Sequence, residues 1–118
     1  MALPVLTQHI ARTKLDAYCA RKIPENLRDR VRLELEFADN HITLIETRPH
    51  FRDPGQWIAL PVARFRFNAG SGTWALLSPS YGNKEAWRPY PLQPSRDLDK
   101  LIAALDSENG TLRDDLAR

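Results

Sequence analysis

Glu46, Arg48, His50 and Asp53 crowd into one short stretch, ETRPHFRDPGQW at 46–57. Carboxylates beside an imidazole are the groups that general acid–base hydrolysis uses, and histidine is the side chain that changes charge near neutral pH. Glu46 and His50 are therefore the candidate catalytic pair, in a hydrolytic or nuclease-like reading. A metal-dependent nuclease would place an acid-x-Lys pair on a strand, with a further acid upstream. Here Glu46-Thr47-Arg48 puts Arg in the lysine position, the upstream acid is restricted to Glu34, Glu36 or Asp39, and Arg cannot accept a proton at neutral pH. The same loop also reads as a contact surface, in which Arg48, His50, Arg52 and Trp57 would grip a partner. A second basic-aromatic group, SYGNKEAWRPY, adds Lys84, Trp87 and Arg88 between Tyr81 and Tyr90. Such interleaving lets rings stack and cations pair with phosphate or carboxylate.

Other chemistries have less support. His9, His41 and His50 lie in three separate elements with no paired spacing, and the single Cys19 offers neither a disulfide nor a thiolate zinc site, so no metal is expected. The glycine-rich NAGSG (68–72) joins two strands and opens no helix, so it is not a phosphate loop. Ser71 and Ser80 lack the flanks of a nucleophile elbow. No cofactor motif is present.

These groups must be held by the elements around them. The chain has 118 residues, the size of a single domain spanning 1–118, with a tail at 111–118 expected to fray. The net charge of +2 is too small to argue for a phosphate-rich partner, although 13 arginines against 4 lysines favour planar, bidentate contacts. No segment has the length and apolarity of a membrane span or the layout of a signal peptide, which points to a cytoplasmic protein without a membrane partner.

A helix is expected from an N-cap at Thr7, burying Ile10, Ala11, Leu15, Tyr18 and Cys19, and stopping at Pro24. Cys19 on that face reads as a small hydrophobe. VRLELEF (31–37) alternates strictly and reads as a half-buried strand, followed by an Asp39-Asn40 turn and a returning strand, ITLIET. A two-residue turn sets Phe37 against Ile42, Leu35 against Leu44 and Leu33 against Glu46. That register puts Glu46 and Arg48 on the apolar face, where a carboxylate must find a partner such as Arg48 or Arg28. PVARFRFN (61–68), TWALLS (73–78) and AWRPYPL (86–92) supply three more strands, with Ala63, Phe65 and Phe67 inward and Pro89 marking an edge. Arg32, Glu34, Glu36, Thr43, Arg64 and Arg66 share the outward face as cross-strand charges on a solvated surface. Phe65 and Phe67 point the other way, which leaves that face without the aromatics expected of an RNA-binding sheet. PSRDLDKLIAALDSENG (94–110) closes the chain as a helix capped by Ser95, ending at Asn109-Gly110. The connections are too short for parallel crossovers. The expected fold class is α+β: an antiparallel five-stranded meander sheet, with an N-terminal and a C-terminal helix packed on one face.

LPVARFRFN…GTW, the following W..YP strand and PSRDLDKLI, with AYC.R..P and ETRPHFRDPGQW upstream, together resemble the bacterial domain of unknown function 3024 family. The resemblance runs from about Leu6 to Leu105 and implies a small bacterial domain without assigning a catalytic residue.

The leading expectation is a small cytoplasmic binding domain, not an enzyme, that contacts protein or nucleic acid through its basic-aromatic loops. The alternatives are the hydrolase built on Glu46 and His50, and a structural homodimer formed through an edge strand.

Overall fold

The computed structural model describes residues 3–23, 25–27, 30–50, 52–53, 55–79 and 87–108. Helix α1 (Val5–Lys22) leads through a 3-10 turn at Glu25–Leu27 into strands β1 (Arg32–Ala38), β2 (His41–Pro49), β3 (Trp57–Asn68), β4 (Thr73–Pro79) and β5 (Trp87–Pro89), and helix α2 (Leu98–Glu108) follows. The sheet order is β1-β2-β3-β4-β5 with every neighbouring pair antiparallel. This is the α+β meander that the alternation and the short connections imply.

The register of the first hairpin follows from its turn. Asp39 takes φ 49, a left-handed conformation that Asp tolerates better than most residues. Phe37 then pairs with Ile42, Leu35 with Leu44 and Leu33 with Glu46. In the β3–β4 hairpin Gly72 adopts φ 68, where a side chain would be strained.

One face of the sheet is covered by both helices. Ile42, Leu44, Ala63 and Phe65 meet Leu15, Tyr18, Leu101 and Leu105 in a core from which water is excluded. The helices lie side by side, tied by ion pairs from Lys14 to Asp99 (2.8 Å) and from Lys22 to Asp106. Both partners advance about two turns between these pairs, so α1 and α2 run in the same direction. Arg12 also caps the rim of the core, its guanidinium 4.3 Å from the centre of the Phe37 ring.

Three boundaries differ from the sequence reading, each for a local reason. Helix α1 begins at Val5 behind Pro4, whose fixed φ suits a helix start, so Thr7 is inside the helix and not its cap. The buried stripe is Ala11, Leu15 and Tyr18, while Ile10 is turned outward. Helix α2 is capped by Asp97: its Oδ1 accepts the Asp99 N–H (3.0 Å) and its carbonyl accepts the Lys100 N–H (3.1 Å). Ser95 is held one step earlier, exchanging two backbone hydrogen bonds with Trp74. The proposed end of this helix at Asn109-Gly110 and the tail lie outside the described residues. Cys19 is half-buried, and burial pushes its thiol up to about 11, as suits a packing residue and not a nucleophile.

The third strand is the element that sequence patterning understated. It starts at Trp57, not Pro61, because β2 pairs with it along its whole length, from His41–Arg66 to Pro49–Trp57. The register shifts between Leu44 and Ile45, so that Pro61 and Val62 together oppose one β2 residue in a β-bulge. Beyond the bulge β1 stays paired with β2 as far as Arg32–Thr47, and the tip from Arg48–Ile58 to Pro49–Trp57 continues, among the described residues, as a two-stranded arm.

Candidate binding face of the sheet

Glu46 lies on the helix-side face, 7% exposed, and its carboxylate accepts a hydrogen bond from the Arg48 guanidinium. Of the two partners proposed for it, Arg48 is the one present; Arg28 lies outside the described residues. The two residues share a face because they are separated by two along one strand. The Arg48 Nε is shielded and has no hydrogen-bond partner among the described residues.

His50 follows β2 at the tip of the arm. Its backbone N–H donates to the Gln56 carbonyl (2.7 Å), and its Nδ1 accepts the Arg52 N–H (3.1 Å). Three extended residues separate Glu46 from His50, a rise of about 13 Å along the chain over four steps, beyond direct proton transfer between them. Asp53 accepts the Gly55 N–H (3.2 Å) and shapes the DPG turn. Among the described residues no group of three or more His, Cys, Asp and Glu is gathered so as to hold a metal ion.

Strand alternation distributes the candidate binding residues over both faces. Arg48 is on the helix side with Glu46. Arg88 is exposed opposite Ser78, on the other side of the strand from Trp87. Lys84 lies outside the described residues. Trp57 and Trp87 share the outward face, which carries no helix.

There each indole is met by an arginine that sequence reasoning did not single out as its partner. The Arg32 guanidinium lies 4.4 Å from the Trp57 ring centre, and that of Arg64 lies 4.2 Å from the Trp87 ring centre. A cation over an indole face gains about 0.5–2 kcal/mol, more as water is excluded. Arg64 is held a second time, its Nε donating to Thr43 Oγ1 (3.1 Å), which buries Thr43. The outward face is therefore not a purely charged surface, and the expectation that it lacks aromatics is corrected. The Phe residues do face the core, but tryptophans from the ends of β3 and β5 fold their rings over it.

Beside the Arg64–Trp87 stack lies an open hollow of about 490 Å³, floored by Thr43, Ile45, Ala59 and Pro61 and walled by Arg64, Trp87 and Glu36. The floor is small and apolar because the bulge places Pro61 opposite Ile45. Thr47, between Arg32 and Ala59 in the ladder, has a shielded hydroxyl with no hydrogen-bond partner among the described residues. A buried hydroxyl left unpaired costs about 1–3 kcal/mol. His41, at the other end of this face, is held below its ordinary value by burial and by the Arg64 cation, so its ring is neutral at pH 7.

A five-stranded antiparallel meander with two helices on one face defines a small α+β module whose second face is open. The chain belongs to the family described as Domain of unknown function (DUF3024), whose model matches residues 3–112. No curated protein and no solved structure matches the chain. No helix among the described residues is long and apolar enough to cross a membrane.

Proposed function

We propose that this chain is a non-catalytic binding module that takes a segment of another protein into the hollow on the helix-free face of its sheet. The observation that supports this reading is the hollow walled by the Arg64–Trp87 stack over Ile45, Ala59 and Pro61, with a second stack, Arg32–Trp57, on the same face. Arg and Trp are the residues most enriched among those that dominate protein–protein binding energy, and stacking holds both in place before a partner arrives. Charge favours a polypeptide over a nucleic acid. Exposed Glu34 and Glu36 share the face with Arg32, Arg64 and Arg66, so a phosphate backbone would meet carboxylates in the same track. A peptide with alternating basic and apolar side chains would satisfy both signs. A cytoplasmic setting fits a chain with a single cysteine.

The test is site-specific photocrosslinking in the native cell, with a photoreactive residue at Ile45 on the floor or at Thr13 on the exposed side of α1. The reading predicts a discrete adduct from position 45 to a different protein, resistant to nuclease, lost when Arg64→Ala is added and absent from position 13. A nuclease-sensitive adduct, an adduct to a second copy of this chain alone, or no adduct beyond the Thr13 control would refute it.

A further inference from the structure

The outer half of β3 is an open edge with an apolar, self-complementary sequence. The β4 pairing covers Arg64–Asn68; on that side of Trp57–Pro61, among the described residues, nothing pairs. Trp57, Ile58 and Leu60 are 39%, 37% and 44% exposed, the largest concentration of exposed apolar side chains in the described sheet. Bare edges are normally guarded by charge, proline, a bulge or a covering segment, and here Pro61 and the bulge stand at the inner end of the edge. The β1 edge follows that rule, with Arg32, Glu34 and Glu36 exposed along it, whereas WIALP carries no charge in five residues.

The hydrogen-bond parity of the arm shows which groups are on offer. His50 N–H bonds to the Gln56 carbonyl, so the bonded pairs along the arm are 50/56, 48/58 and 46/60. Ile58 and Leu60 therefore spend their N–H and C=O groups on β2, while Trp57, Ala59 and Pro61 direct theirs outward. Proline at 61 fits this parity, since its missing donor falls on the open side. Past the bulge the parity reverses, as the Phe67 N–H bond to the Asn40 carbonyl (2.8 Å) requires, and Arg64 and Arg66 face β4.

We infer that this edge pairs with the same edge of a second copy, antiparallel, with the two-fold axis at Ala59. In that register the two Ala59 residues exchange both backbone hydrogen bonds. The Trp57 N–H of each copy reaches the Pro61 carbonyl of the other, and each Trp57 carbonyl, which faces the proline nitrogen, is left to solvent at the end of the contact. Side chains match without a single charge. On the helix-side face Ile58 of each copy lies across from Leu60 of the other, twice, and on the open face each Trp57 lies across from a Pro61. Such an isologous contact closes on itself. The result is one continuous sheet in which the two helix-free hollows lie on the same side. The inference is independent of what those hollows bind.

Five residues a side make a small contact, in the range of weak and transient association. Sedimentation equilibrium of the full chain should show the average mass rising from monomer towards dimer between about 1 and 300 μM, the range in which interfaces of this size associate. Leu60→Lys, whose side chain is exposed in the monomer, should keep the fold by circular dichroism and hold the mass at monomer throughout. Register is tested in a Cys19→Ala background. Ala59→Cys should oxidise readily to a covalent dimer, because directly bonded antiparallel pairs sit about 5.5 Å apart between Cα atoms, within disulfide reach. Ala38→Cys at the exposed end of β1 should not. A monomer mass at every concentration, a dimer unaffected by Leu60→Lys, or equal cross-linking at positions 38 and 59 would overturn the inference. Photocrosslinking from Ile45 to a different protein would be unaffected by that failure, so the two readings can fail separately.

Discussion

The two halves of β3 share one strand and one partner, yet they sit in different surroundings. From Ala63 to Asn68 the strand lies between β2 and β4 with helices beneath it, and Phe65 is wholly buried. From Trp57 to Pro61 it keeps, among the described residues, only β2, and Leu60 on the same helix-side face is nearly half exposed. Both stretches are apolar enough to be core. The helices decide the difference: the core beneath them takes in Ala63 and Phe65 of β3, whereas Trp57, Ile58 and Leu60 are exposed beyond the bulge. Beyond it a carboxylate, Glu46, can share a face with leucines because Arg48 and nearby solvent are within reach.

The largest expected consequence of that contrast is in stability. Phe65→Ala removes a fully buried ring and should cost about 3–5 kcal/mol. Leu60→Ala should cost under about 1 kcal/mol, as surface changes do. Urea unfolding of the two variants measures both, and equal losses would mean that the arm is packed as tightly as the core.

Next comes the ion pair that divides the two regions. Arg48→Ala leaves the buried Glu46 carboxylate without its cation and should cost about 2–3 kcal/mol, below the 3–5 of a fully buried pair because Arg48 is partly exposed. The double change Glu46→Leu with Arg48→Leu should recover most of that loss, since apolar isosteres often replace buried pairs without penalty. A double variant as unstable as Arg48→Ala alone would show that the pair is worth more than its removal as a unit.

A smaller effect separates the two arginine–tryptophan stacks. Arg64→Ala loses the contact with Trp87 and the hydrogen bond to Thr43, and should cost about 1–2 kcal/mol. Arg32→Ala loses a stack on the exposed arm, about 0.5 kcal/mol. Reversal of that order would place the arm's stack in the drier environment.

The smallest is the pH dependence at His41. Its folded value lies below the ordinary 6.5, because burial and Arg64 outweigh the opposing Asp39 and Glu36 carboxylates, with Arg66 also lowering it. The fold therefore disfavours the protonated ring. This contribution is intact above pH 6.5 and is lost as pH falls through the folded value. His41→Asn should flatten stability against pH in that window; an unchanged slope would assign it to other groups.

Much of the fold was readable because strict alternation has one interpretation. VRLELEF with a two-residue Asp-Asn turn implies the register of the first hairpin, and with it the burial of Glu46. The extension of β3 was not readable, because WIALP does not alternate and a bulge at Pro61-Val62 shifts its phase. The candidate site was half visible. Trp57 and Trp87 were singled out, but they were placed on separate loops with Arg48 and Arg88, whereas alternation sends those arginines to the other face. The true partners, Arg32 and Arg64, come from strands distant in sequence, and no local pattern announces a stack that only tertiary pairing creates. The pairing of charges with outward positions was correct, yet it concealed the rings that end above them.

The openness of the arm is tested most directly by residue-resolved amide hydrogen exchange in dilute protein, where association is negligible. The account predicts alternation along the arm, with Trp57 and Ala59 exchanging quickly and Ile58 and Leu60 slowly, while Arg64 to Phe67 are slow without exception. Uniform slow exchange from Trp57 to Leu60 at dilution would contradict it, because some other part of the same chain would then occupy the edge.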